Sequence, residues 1–417
     1  MSEFPEKPCI SAAEVQTALS AACAQVKRNI PLFTGFCQNH SSVNGFYPKC
    51  ENNQWTCGFW PGEIWLSYEH TGDDVFRAEA EKLVQSFYNR IVNKIEVDHH
   101  DMGFLYSPSC VAAYKLTGNE TAKKAAIMAA DQLISRFQPK GGFIQAWGKK
   151  GEKGNYRYII DCLLNLPLLY WASGTTGDAK YSEIANTHIR TCLKNSFRDD
   201  FSTYHTFFMN QDTGEPDHGA TCQGYKDDSF WARGQAWAIY GIALAYKYVN
   251  TTEYLTLFDN VSAFFLERLP KDFVPYWDLV FADGSNEPRD SSAAAIAACG
   301  FLQMADNLSS IDSEGAERGV QTSAGAVSES GCAKTVPNSE KAASYRKTAA
   351  QIMKSLCDSY AVKDSSTSNG LLLHGTYSKK SPYNTCTEEG VDECVSWGDY
   401  FYMEALTRLS KKWNPYW

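Results

Sequence analysis

Apolar and polar positions divide the 417-residue chain into two alternating kinds of helical segment. One kind is apolar almost all round, over 60–70, 104–117, 156–173, 229–249, 290–308 and 397–412. The other is amphipathic and charged, over 11–29, 73–94, 119–136, 178–196, 251–268 and 341–361. A helix that is apolar all round is buried on both sides, whereas a striped helix covers a core from outside. Six buried and six covering helices therefore predict an all-α ring of helix pairs, with few strands. Gly234, Gly241 and the alanine-rich run 293–298 let inner helices approach closely.

Four of the helix pairs share a joint. An apolar helix ends in a tyrosine-containing turn (Tyr68, Tyr114, Tyr170, Tyr246), passes a Gly, Asn or Thr, and the charged helix begins. Repetition of one helix–turn–helix unit is the signature of a helical array. In a closed ring all inner helices run the same way, so their N-termini share one mouth. That mouth gathers unpaired N–H groups and positive dipole ends, which suit an anionic ligand. The polar and aromatic oddities of the sequence sit at those N-termini: NNQWTCGFWPGE, DHHDMGFLYS, GNYRYIID, DDSFWARGQAW, EPRDSS and VDECVSWGDYFY. Pro167 removes a donor and predicts a kink near Leu163.

Composition narrows the ligand. Aromatics make up 13% of the chain, with 11 Trp and 23 Tyr, a content suited to packing against sugar faces. The net charge of −9, without a basic stripe, argues against nucleic acid. No apolar run reaches membrane length, and the N-terminus lacks the pattern of a signal peptide. The 14 cysteines are scattered, with no CxxC pair, and Cys162 and Cys299 lie in apolar runs. This predicts a reduced, cytoplasmic protein. The sequons at Asn119 and Asn250 then read as helix-capping signals. The Ser-, Gly- and Ala-rich stretch 310–340 reads as an irregular insertion in an otherwise single domain spanning 1–417.

The stretch VDHHDMGFLYSPS places His99 and His100 between two acids. Adjacent side chains diverge, so one metal hardly takes both histidines, and no HExxH or EF-hand pattern is present. No metal or cofactor is expected. Asp101 precedes an apolar run, where capping is as good an explanation as chemistry. Asp161 lies inside YRYIIDCLLNLPLLYW. A carboxyl there is either satisfied by a neighbour or kept protonated as a donor. Two carboxyls at one mouth fit acid–base work on a sugar, but spacing leaves inverting, retaining and other acid-catalysed additions open. Arg233, between Trp231 and Trp237, is either stacked for packing or a fork for a carboxylate. His205 and Gln223 are weak signals on their own.

The strings WTCGFW, HDMGFLY, YRYIIDCLLNLPLLYWAS, STYHTFF with DTGEP, WARGQAWAIYG, PRDSSAAAIAACG and WGDYFYMEAL occur in order over nearly the whole chain. With them the sequence resembles the unsaturated glucuronyl hydrolases of glycoside hydrolase family 88. The resemblance implies an (α/α)6 barrel, which agrees with the twelve-helix count. It implies hydration of the C4=C5 vinyl ether of a 4,5-unsaturated uronic acid at the non-reducing end of lyase-generated oligosaccharides. The partners implied are chondroitin, hyaluronan or heparin fragments, with the protein a monomer or weak homodimer. By motif, Asp161 looks like the proton donor and Asp101 like the second essential carboxylate. Trp55, Phe59, Trp231 and Trp237 look like aromatic walls, and His100, His205, Gln223 and Arg233 like polar groups around the water and the uronate. Ser378, Lys379, Lys380 and Ser381 fall where some members receive a sulfate, without a clean match. Rival readings are an unsaturated rhamnogalacturonyl hydrolase acting on pectin fragments, a glycosidase of saturated sugars, and a non-catalytic sugar-binding toroid. The STYHTFF and WARGQAW strings weigh against the first and the presence of both carboxylates against the last; a glycosidase of saturated sugars would act on substrates lacking the double bond.

Overall fold

The computed structural model describes residues 7–317 and 336–417. It is mostly helical. The inner set comprises α2 (Phe59–Thr71), α4 with α5 (Met102–Tyr106, Ala112–Thr117), α7 with α8 (Cys162–Asn165, Pro167–Thr176), α10 (Ala232–Val249), α12 (Ser291–Glu317) and α14 (Ser396–Ser410). The outer set comprises α1 (Ala12–Phe33), α3 (Asp74–Val92), α6 (Glu120–Ser135), α9 (Lys180–Asn195), α11 (Thr252–Glu267) and α13 (Asn338–Ser355). Fourteen helices arise from twelve expected because two inner ones are broken. A π turn at Ser107–Val111 interrupts the second, and Pro167 breaks the third at Leu166. The proline acts as expected, since it cannot donate to the preceding turn.

Contacts link each inner arm to the next. They run from α2 to the π turn after α4, from α4 to α7, α7 to α10, α10 to α12 and α12 to α14, and return from α14 to α2. The inner faces are filled: every residue of α10 from Ala232 to Tyr246 is buried, as are Ala293 to Cys299. Gly241 sits where a Cβ would lie 2.3 Å from the Leu163 Cβ, so its lack of a side chain sets the α7–α10 spacing. Gly234 faces Trp231, near its own helix start, rather than a neighbouring inner helix.

The shared joint has a common cause. Gly72, Gly118, Gly177 and Asn250 all end inner arms in the left-handed conformation, which glycine and asparagine tolerate best. Their N–H groups donate to the carbonyls of Tyr68, Tyr114, Ser173 and Tyr246. Tyr170, instead of supplying a capped carbonyl, stacks on Tyr248 at 4.1 Å. Asn119 caps the start of α6 as expected, through Ala122 N–H. Asn250 instead closes α10, and Thr251 caps α11.

Strands exceed the expectation. Among the described residues nine short ones form: β1 (Cys37–Gln38), β2 (Lys49–Cys50), β3 (Phe137–Gln138), β4 (Phe143–Ile144), β5 (Arg157–Ile159), β6 (Thr206–Met209), β7 (Pro216–Ala220), β8 (Gly375–Ser378) and β9 (Glu389–Glu393). The largest sheet has the order β5-β6-β7, all antiparallel. It corrects the expected helix at 156–161: Tyr156 to Ile160 is rich in aromatic and β-branched residues and pairs with β6 instead. The expected insertion at 310–340 falls largely outside the described residues; 310–317 continue α12 and α13 begins at Asn338. The 13 described cysteines are free thiols, with Cys162 and Cys299 buried. Among the described residues, no helix is long and apolar enough to cross a membrane.

Candidate active site

A cavity of about 350 Å³ opens where the inner arms begin. Its walls come from the approach to α2 (Trp55), the start of α4 (His100, Asp101), β5 and the start of α7 (Ile159, Asp161), the residue before β6 (His205), the loop after β7 (Cys222, Gln223), and the start of α10 (Trp231, Arg233, Trp237). Trp147 and Tyr377 complete them. A larger recess of about 470 Å³ lies between α1 and the 357–371 segment, with Glu14, Arg28, Asp358 and Lys363 on its rim. It brings no buried carboxyl pair together, so the chemistry belongs to the smaller cavity.

Asp101 and Asp161 occupy equivalent places, immediately before α4 and α7. Neither side chain caps its helix. Capping therefore does not explain Asp101. The two helix starts are locked together: Phe104 N–H donates to Asn165 Oδ1 at 2.9 Å, and a Cβ on Gly103 would lie 2.3 Å from Asn165 Cα. The glycine of DMGF is what lets the two carboxyls approach.

His100 stands between them. Its Nε2 is 3.3 Å from Asp101 Oδ1 and 3.5 Å from Asp161 Oδ1. His100 is buried, and burial, opposed by the Asp101 charge, pushes its pKa down to about 4. It is neutral near pH 7, and its Nε2 faces the two carboxyls. His99 attends Asp101 alone: its Nε2 donates to Glu96 carbonyl oxygen at 3.0 Å, and Nδ1 accepts from Asp101 N–H at 3.1 Å and lies 3.0 Å from Asp101 Oδ2. The three groups His100, Asp101 and Asp161 offer ligand atoms within 4.8 Å of one another, the only such cluster among the described residues. A divalent cation accepts such donors, but with one imidazole only, as the adjacency of the histidines required.

The carboxyls are driven apart in acidity. Burial raises the pKa of Asp161 well above the ordinary carboxylate value, and the nearby Asp101 charge adds to it; Arg233 opposes both. Asp161 Oδ1 is buried without a hydrogen-bond partner. Burial also works against the Asp101 anion, but His100, His99 and Arg90 together hold its pKa below the ordinary value. The surroundings thus favour the protonated form of Asp161 and the ionised form of Asp101, the division of labour that acid–base chemistry needs.

His205 Nδ1 accepts from Cys222 N–H at 2.8 Å and Gln223 N–H at 3.1 Å, which fixes its proton on Nε2. The ring lies 4.3 Å from Trp231. Gln223 Oε1 accepts from Arg233 Nη2 at 2.9 Å. Arg233 is stacked between Trp231 and Trp397, and its terminal nitrogens also bond Asp290, Thr376 carbonyl and Tyr377 carbonyl. Only Nε is uncommitted. Arg233 thus holds Gln223 and β8 in place and supplies field to Asp161. Arg233→Ala leaves Asp290, which is 0% exposed, without its ion partner. It is expected to lower stability by roughly 3–5 kcal/mol, read as a fall in the urea midpoint, with Lys failing to restore the four bonds.

Trp55 donates to Tyr377 Oη at 3.2 Å and stacks on Trp397 at 5.2 Å. Phe59 lies behind it, fully buried against Trp55, Phe104 and Tyr400, and does not line the cavity. The four sulfate candidates lie along the β8–β9 hairpin outside the cavity walls. Ser381 Oγ donates to Tyr225 carbonyl, Lys379 pairs with Glu388 at 2.8 Å, and Lys380 donates to Asn384 carbonyl. Ser378 ends β8, buried, one residue after Tyr377. Trp147, Ile159, Cys222 and Tyr377 were not singled out from sequence. The one available signal was Trp147, an isolated aromatic in the polar turn QAWGKK.

Residues 34–306 match the family model described as Glycosyl Hydrolase Family 88. The chain belongs to glycoside hydrolase family 88. It is 44% identical over 414 residues to the unsaturated chondroitin disaccharide hydrolase of Streptococcus pneumoniae, covering 99% of this chain and 96% of that one. Its structure is similar to that of the unsaturated glucuronyl hydrolase from Streptococcus agalactiae, with TM-score 0.87 and 42% identity over 99% of this chain and 96% of that one. A mutant of that enzyme, complexed with dGlcA-GalNAc6S, has TM-score 0.80 and 39% identity over the same shares. The family 88 chain is thus a glycoside hydrolase, and Asp101 and Asp161 are its candidate acid–base pair.

Proposed function

We propose that this family 88 enzyme removes the 4,5-unsaturated uronic acid from the non-reducing end of glycosaminoglycan oligosaccharides left by a lyase, by hydrating the C4=C5 vinyl ether. The observation that carries the reading is Asp161: a buried carboxyl without a hydrogen-bond partner on Oδ1, beside an ionised carboxylate. An alkene carbon accepts a proton only from a strong enough acid that is still protonated at working pH. Asp161 donates its proton to C4, and water adds at C5. As carboxylate, Asp161 takes the proton the water loses, which restores the acid. The C5 hemiketal opens, C1 becomes a hemiacetal, and the leaving sugar departs. Asp101, held ionised, keeps the Asp161 proton from leaving early and accepts hydrogen bonds from ring hydroxyls. Neutral His205 and Gln223 present N–H donors toward the water and the uronate. Trp55, Trp147, Trp231 and Trp237 supply flat faces for the sugars.

The same reading closes the helix pairs into one (α/α)6 barrel, supported by the contact path that returns from α14 to α2. It takes the enzyme to be cytoplasmic, which the free thiols of its described cysteines support, and to be a monomer or weak homodimer. The test is the loss of ultraviolet absorbance of the conjugated alkene. Unsaturated disaccharides from hyaluronan, chondroitin and heparin are compared with a pectin-derived one and with saturated counterparts assayed for released sugar. Loss with a glycosaminoglycan disaccharide is the expected result. Release from saturated sugars, or activity confined to the pectin fragment, overturns the reading.

A further inference from the structure

Beside the cavity stands a cation without a carboxylate partner among the described residues. Arg157 opens β5, two residues before Ile159, and side chains two apart on a strand share a face. Ile159 lines the cavity, so Arg157 lies one step outward on the same face. Its guanidinium carbon is 4.5 Å from the Trp147 ring centroid and 5.1 Å from that of Phe208, its cross-strand partner on β6. Phe208 in turn stacks on His218 of β7, with centroids 4.7 Å apart and 10° between the rings. Trp147, Arg157, Phe208 and His218 therefore form a continuous strip from the cavity wall to an exposed imidazole.

The donors of Arg157 are largely unspent. Nη2 makes one long bond to Asn155 Oδ1, at 3.3 Å, and Nε is buried without a partner. Compare the buried Arg90 and Arg136, whose nitrogens are filled by carbonyls and side-chain oxygens. Leaving a buried donor unfilled is costly, while aromatic faces on both sides hold the guanidinium plane ready. Its field reaches into the cavity: burial, then Arg233, then Arg157, depress the His205 pKa to about 3.

We propose that the leaving part of the substrate runs outward along this strip, and that Arg157 receives an anionic group on it, a sulfate or a carboxylate. This rests on the proposed function. The strip starts at Trp147, a wall of the cavity that holds Asp161, and continues beyond the lining residues to exposed His218, so an anion on it belongs to the part of the substrate beyond the uronate.

Three unsaturated substrates separate the sources: an unsulfated disaccharide, the same disaccharide sulfated on the leaving hexosamine, and an unsulfated tetrasaccharide whose third sugar carries a carboxylate. The quantity read is the ratio of kcat/KM for each anionic substrate to that for the unsulfated disaccharide. Arg157→Gln is expected to lower this ratio by about tenfold or more in at least one anionic arm, and Arg157→Lys by less. The arm that falls identifies sulfate or carboxylate. A ratio unchanged in both arms overturns the proposal, as does an equal loss on all three substrates. Dissociation constants for the same sugars, measured by calorimetry in the Asp161→Asn background, give the same ratios without turnover. A wild-type enzyme that binds all three but consumes none sinks the function and leaves the strip to be judged by those constants.

Discussion

Asp161→Asn is expected to abolish turnover, by roughly 10³-fold or more, while the substrate still binds. The amide has the shape of the carboxyl but no acidic proton to give to C4. Little else is lost, because Asp161 Oδ1 has no hydrogen-bond partner. Binding is measured by calorimetry and turnover by the fall in alkene absorbance; near-normal turnover would remove Asp161 from the chemistry. A second consequence concerns pH. The folded-state pKa of Asp161 is raised, first by burial and then by Asp101. Its neutral form is the one the fold favours, so its contribution to stability is complete below the unfolded value and is lost as pH rises through the folded one. The Asn variant should match the wild type in acid and exceed its melting temperature in alkali. Catalysis and stability thus oppose each other at this position, as is common for residues kept in a tuned state.

How legible this was depends on where each signal lay. Asp161 announced itself because a carboxyl inside YRYIIDCLLNL has few benign explanations. Asp101 did not, since an acid before an apolar run is ordinarily a cap; only the absent capping bond separates the two cases. The role of Arg233 depended on Asp290, 57 positions away, and on carbonyls of β8 that no local pattern announces. The helical ring was legible because each arm carries its own period and its own stop signal, Gly72, Gly118, Gly177 or Asn250 in four cases. β5 was not: a short run of apolar residues fits a buried helix or a strand equally well, and the partner that decides lies in β6. Trp147 and Tyr377 reach the cavity from a turn and a hairpin, so their place follows from tertiary structure alone.

Asp101→Asn provides the complementary test, because it alters the partner rather than the donor. The fall in kcat is expected to be about 10²–10³-fold, with folding intact. The informative quantity is the pH profile of the residual activity. In the wild type the rate is expected to fall on the acid side as Asp101 takes a proton and on the alkaline side as Asp161 loses one. Because the two carboxyls are coupled, these limbs describe the pair. The Asp101 charge is second to burial among the causes that raise Asp161. Removing it lowers the pKa of the remaining donor, so the alkaline limb must move to lower pH, while the acid limb governed by Asp101 disappears. A profile scaled down with both limbs in place would mean that Asp101 only positions the sugar. A profile whose alkaline limb shifts would mean that it also keeps the proton on Asp161, the property on which hydration of the alkene depends.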